Sequence, residues 1–103
     1  KDGLTDLMKQ AQAMQGEVAK MQKEISTVEV VGEAGGGMVT VRMNGRKDVL
    51  AVKIESRVVT EDLEMFQDLL VIAINDASKR ADAVSREKMS KATSGLEFLK
   101  GFN

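Results

Sequence analysis

Cysteine and histidine are both missing from the 103 residues. Without them the chain has no disulfide, no thiol nucleophile and no imidazole base, and it loses almost every zinc, copper or iron site. Proline, tryptophan and tyrosine are absent as well, and three phenylalanines supply all the aromatic surface. So little aromatic surface argues against stacking platforms for single-stranded nucleic acid. No apolar run approaches the roughly 18 residues needed to span a bilayer, and no charged-then-apolar leader opens the chain, so cytoplasmic residence is the expectation. The chain starts at Lys1 without a methionine, and a few residues are expected to precede it. Charge of one sign is also missing: 15 Lys and Arg face 16 Asp and Glu, for a net −1. A nucleic-acid function would have to come from sorting these charges onto different faces.

What remains is 43% hydrophobic and 30% charged, a globular composition of a size for one domain. Its core must be built from aliphatic side chains and seven methionines. So thin a core favours a partner chain that shares it.

From Leu4 the apolar residues step alternately by three and four. Leu4, Ala11, Val18 and Ile25 make one seam, and Leu7, Met14, Met21 and Val28 the other. This a/d repeat predicts a helix that packs on another helix. At 1.5 Å per residue, roughly 22 residues give a rod of about 33 Å, long enough to project from so small a domain. Gly16 lies opposite the seam and does not by itself break the rod.

The period then changes to two. Val28 and Val30 share one face, as do Val39, Val41 and Met43, and then Leu50, Val52 and Ile54. Three half-buried strands follow, and their short connections favour an antiparallel meander. Asn44-Gly45 is read as a tight turn. Thr60 is the expected N-cap of a last helix, with Glu61, Asp62 and Glu64 at the positive end of its dipole. Leu63, Phe66, Leu70, Ala73, Ala77 and Val84 mark its buried stripe, widened by Met65, Leu69 and Ile72. Asp76 with Arg80, and Asp82 with Arg86, have the spacing of helix ion pairs. The prediction is α+β, one domain over 1–103: a helix at 1–26, a three-stranded sheet at 27–55, a helix at 60–89 and a mobile tail at 90–103.

Gly35-Gly36-Gly37 raises the possibility of a phosphate cradle. Such a loop needs a helix N-terminus behind it and, in its strong form, a Lys-Ser/Thr pair. Here the glycines run into Met38-Val39-Thr40-Val41, a strand, so they are read as a hairpin corner. The carboxylates of the last helix have the positions of a helix start and a wet face, and Ser and Thr lack an activating base. No catalytic residue, metal site, cofactor or small-molecule substrate is expected.

The cations are more regular. On a helical wheel Lys9, Lys20 and Lys23 fall within about 60° of one another, opposite the apolar seam. Lys79 and Arg86 share an outer face of the last helix, and Arg80, Lys88 and Lys91 add charge toward its C-terminal end. Taken alone, such a stripe is more often a solvated face than a polyanion site.

Three stretches carry a resemblance: "LMKQAQAMQGEVAKMQKEI" (7–25), "VVGEAGGGMVTVRMNG" (30–45) and "EMFQDLLVIAINDASKRADAVSREKM" (64–89). Together they resemble the YbaB/EbfC family of bacterial nucleoid-associated proteins. The resemblance implies a homodimer of α-β-β-β-α subunits with projecting helical arms. It also implies binding of double-stranded DNA in the nucleoid, with roles in chromosome organisation and gene regulation and no enzymatic chemistry. By matching position, the DNA-binding residues it implies are Lys9, Gln12, Lys20, Lys23, Lys79, Arg80 and Arg86. The chain departs from the family where many members have Asp-Pro after the third strand, since Ser56-Arg57 stands there, and its tail has no proline. The competing reading is a dimeric protein-interaction module whose lysines serve solubility. In either case the partner is a macromolecule and not a membrane.

Overall fold

The computed structural model describes residues 2–100, with side chains from 3 to 92. In chain order it contains α1 (Asp2–Thr27), β1 (Glu29–Ala34), β2 (Val39–Asn44), β3 (Val49–Ile54), α2 (Ser56–Glu61) and α3 (Leu63–Lys100). The sheet has the order β1-β2-β3 and both pairings are antiparallel, the α+β meander expected from the alternation. Cross-strand neighbours share a face. Val41 opposes Gly32 on one side and Val52 on the other, so these three look the same way.

That face carries the core. Val39, Val41, Met43 and Ala34 are buried against Ala73, Ala77 and Ala81 of α3. The alanines recur every four residues, so a narrow ridge without bulk runs down the helix. Gly32 completes the fit: a Cβ there would overlap the Ala77 nitrogen and the Ala73 carbonyl oxygen. The helix thus lies close upon β1 and β2. It does not cover β3. Val49, Leu50 and Val52 stay 42–50% exposed, although alternation marks Leu50 and Val52 for half-burial.

Gly35, Gly36 and Gly37 all have positive φ (64°, 66° and 95°), the conformation a reversing chain needs here. The loop is a corner between β1 and β2. The second corner departs from expectation. Asn44 closes β2 with its side chain buried, Gly45 is also buried, and the positive φ falls at Lys47 (71°). The residues of the Asn-Gly signal serve packing, and the turn proper extends to Asp48.

The last helix also differs. Helical structure begins at Ser56, four residues before the expected start, because Val58 drops into the core and draws a short α2 with it. Thr60 is not a cap; its hydroxyl donates back to the carbonyls of Ser56 and Arg57. Asp62 interrupts the helix in an extended conformation, and its Oδ1 accepts the Met65 N–H at 3.0 Å. Asp62 is the N-cap of α3. That helix runs on to Lys100, past residue 89 where the repeat fades, so 90–100 is helix rather than an irregular tail. Residues 101–103 of the expected tail lie outside the described residues.

Both long helices extend past the sheet, and the molecule measures 73 × 21 × 15 Å. α1 meets the rest of the chain only near its C-terminal end, and residues 3–20 are exposed throughout. The outer part of its predicted seam, from Leu4 to Val18, is bare in this chain, with Leu4 and Leu7 more than 60% exposed, while Met21, Ile25 and Val28 are half-buried.

Candidate nucleic-acid interface

An unbroken helix of 26 residues fixes where the lysines of α1 stand. Lys9, Lys20 and Lys23 keep their common face, and Gln12 is exposed on the same rod. Lys9 and Lys23 are 14 residues apart, or about 21 Å along the axis, which matches about six base pairs of duplex at 3.4 Å each. None of the three lysines forms an ion pair among the described residues. Their charge is available to an external anion.

α3 treats its cations differently. Lys79 and Arg86 are exposed on the side away from the sheet. The Arg86 Nε–H donates to the backbone oxygen of Asp82 at 3.4 Å, not to the Asp82 carboxylate, so the expected Asp82–Arg86 ion pair does not form. Asp82 instead takes Lys47 Nζ at 2.8 Å, from the β2–β3 hairpin. Arg80 is committed within the chain: its Nε lies 3.2 Å from Asp76 Oδ2, which also accepts the Glu33 N–H at 2.9 Å. The Glu33 amide is the main cause holding the Asp76 carboxyl below its ordinary range. Arg80 and Lys79 add to that pull, and partial desolvation opposes it. Of the seven expected contact residues, Arg80 is thus the one whose charge is already answered by a carboxylate. Its use by DNA would require giving up its bond to the carboxylate that also ties α3 to the edge of β1 through the Glu33 amide.

Where the two long helices run side by side, Glu17, Lys20, Met21 and Glu24 of α1 face Lys88, Lys91 and Ala92 of α3 across a shallow groove. Lys88 Nζ reaches Glu24 Oε2 at 3.6 Å. Two of the lysines that add charge to the end of α3 therefore sit among acids between the helices. Lys20 lines the same groove without forming an ion pair among the described residues.

One cation escapes sequence reasoning. Arg46 is exposed beside Gln22 and Ile25, at the base of α1. It stands there because the Gly45 N–H bonds the Ile25 carbonyl at 3.0 Å and carries the hairpin against the helix. No spacing in the sequence announces a contact between residues 20 apart on different elements. The nearest signal is the buried Asn44-Gly45 pair itself.

No group of acidic or other ligating side chains among the described residues is arranged to hold a metal ion. No described helix is long and apolar enough to cross a membrane. The candidate interface is thus a pair of extended helices, one presenting unneutralised lysines and the other a mixture of free and internally paired cations.

Known proteins share this sequence and this fold. Nucleoid-associated proteins of Legionella pneumophila, strains Corby and Paris, are each 48% identical over 93 residues, which are 90% of this chain and 83% of the relative. The crystal structure of an uncharacterized protein from Helicobacter pylori superposes with a TM-score of 0.72 at 25% identity, over 89% of this chain and 95% of that one. The sequence model of the YbaB/EbfC DNA-binding family matches residues 1–96, so the resemblance carried by the three stretches extends over nearly all of the chain. The chain belongs to the YbaB/EbfC DNA-binding family.

Proposed function

We propose that this protein is a nucleoid-associated protein that grips the phosphate backbone of double-stranded DNA, with α1 as its principal contact. The observation that carries the reading is the row Lys9, Lys20 and Lys23: one face, a projecting helix, and no internal carboxylate partner. The names of the Legionella relatives support it. Gln12 adds a neutral hydrogen-bonding group to the same rod, and Lys79 and Arg86 extend the footprint to α3. Backbone contacts of this kind position a protein without reading bases, so sequence preference is weak and arises through DNA shape. Chromosome organisation and gene regulation in the nucleoid follow from such binding.

The working unit is a homodimer. Support comes from Val49 and Val52, which oppose the core residues Met43 and Val41 and so look to the same side as α3 yet lie beyond its cover. An apolar patch of that kind on a thin core is stabilised when a second copy covers it. A two-fold pair would place two lysine-bearing arms on one duplex and offset a net charge of −1 by geometry.

A direct test compares the wild type with Lys20→Glu/Lys23→Glu in a duplex titration at low salt. Affinity should fall by at least ten-fold, since each reversed charge replaces a phosphate attraction with a repulsion, while the dimer persists in sedimentation. Equal binding by both proteins would remove α1 from the interface. The bare a/d seam of α1 favours a second reading, an interaction module without DNA binding, and failure of the wild type to bind any duplex at low salt would select it.

A further inference from the structure

Three elements meet at one residue. The Gly45 N–H donates to the Ile25 carbonyl of α1 at 3.0 Å, and the Gly45 carbonyl accepts the Ser85 hydroxyl of α3 at 2.8 Å. A Cβ on Gly45 would overlap the Ile25 carbonyl oxygen, so only glycine permits this approach. The hairpin that carries Gly45 is stiff. Asn44 is 8% exposed, its Oδ1 accepts the N–H groups of Arg46 and Asp48 at 2.9 and 3.0 Å, and its Nδ2 donates to Asp48 Oδ2 at 3.1 Å. Lys47 then ties the same hairpin to Asp82 of α3.

The rest of α1 has little to steer it. From residue 20 back to residue 3 every position is exposed, so the direction of the rod is set in its last two turns. Leverage makes that setting matter. Ile25 and Lys9 are 16 residues apart, about 24 Å of helix. A tilt of about 10° at the junction displaces Lys9 by about 4 Å, more than the 3.4 Å rise of one base pair.

We propose that Gly45, Ser85 and the Lys47–Asp82 pair form a positioning junction that fixes the angle of α1 to the sheet and so sets where its lysines meet DNA. The DNA part of this inference rests on the function proposed above, but the mechanical part does not. None of these residues touches the nucleic acid; they act through α1. The chemistry is a shared glycine: its N–H bonds one helix and its carbonyl, in the next peptide group, bonds the other.

The absence of native cysteine allows a clean test. Spin labels at Gln10→Cys on the arm and Lys53→Cys on the sheet report the arm distance when labelled chains are diluted with unlabelled protein. Ser85→Ala should broaden that distribution and weaken binding to a 30-base-pair duplex roughly three- to ten-fold, the worth of about one hydrogen bond. Ser85→Thr, which keeps the hydroxyl, should restore both. Gly45→Ala should shift the mean distance; if it does not fold, the Ser85 pair decides. An unchanged distribution in Ser85→Ala overturns the junction. A broadened distribution with wild-type affinity overturns its role in binding. Should the wild type bind no duplex, the functional reading fails, while the distances still decide whether the junction holds the arm.

Discussion

Gly32 and Lys20 mark two kinds of residue in this chain, one fixed by what it lacks and the other by what surrounds it. Gly32 lies under the ridge of Ala73 and Ala77, and its hydrogen is the only side chain the gap admits. Gly32→Ala should destabilise the protein by about 3 kcal/mol in chemical denaturation, the upper end of ordinary overpacking, because the obstruction is backbone on both sides. A loss below about 1 kcal/mol would mean that α3 can lift away cheaply. Lys20 needs only to stay unneutralised, and its position was legible from helical spacing alone. Arg80 was not legible to the same degree. The sequence suggested its partnership with Asp76, but only the fold brings the Glu33 amide to the same carboxylate, making it a junction of helix and edge strand. Asp82 shows the limit more sharply: the spacing offered Arg86, and the hairpin delivered Lys47.

The elements were readable where periodicity was strong and misplaced where a tertiary contact outweighed a local signal. The three strands stand where the alternation placed them, although only β1 and β2 bury the expected face, and the triple glycine behaves as the corner its neighbours implied. The start of the last helix was misplaced because a buried Val58 extends helical structure upstream and leaves the break to Asp62. Thr60 and Asp62 are both good capping types, so composition could not choose between them. Asp62→Ala should therefore lower stability by about 1 kcal/mol, whereas Thr60→Ala should cost clearly less, as thermal or denaturant unfolding would read. Equal losses would contradict the cap assignment. The end of α3 was misplaced for a related reason. Beyond residue 89 the amphipathic stripe fades, yet the helix continues to Lys100 with no proline to stop it.

At the scale of the whole molecule, shape does what composition does not. A chain of net charge −1 can still attract a polyanion if its acids are spent internally and its free lysines are carried outward. Glu24 is occupied with Lys88, Asp76 with Arg80 and Asp82 with Lys47, all near the sheet or between the helices. Lys9, Lys20 and Lys23 ride on the exposed rod. The sequence disclosed the rod, the stripe and the family. It could not disclose the bare face of β3 or the Gly45 junction, because each depends on where α3 lies across the sheet.

The claim that joins these scales is that the α1 lysines neutralise duplex phosphates. Its most direct test is the salt dependence of duplex affinity, measured by fluorescence anisotropy for the wild type and for Lys9→Ala, Lys20→Ala and Lys23→Ala. The logarithm of the association constant should fall linearly with the logarithm of salt, and each substitution, present in both arms of the dimer, should make the slope shallower by about 1.8, or about 0.9 per lost phosphate contact. Slopes that coincide across the four proteins would contradict the account.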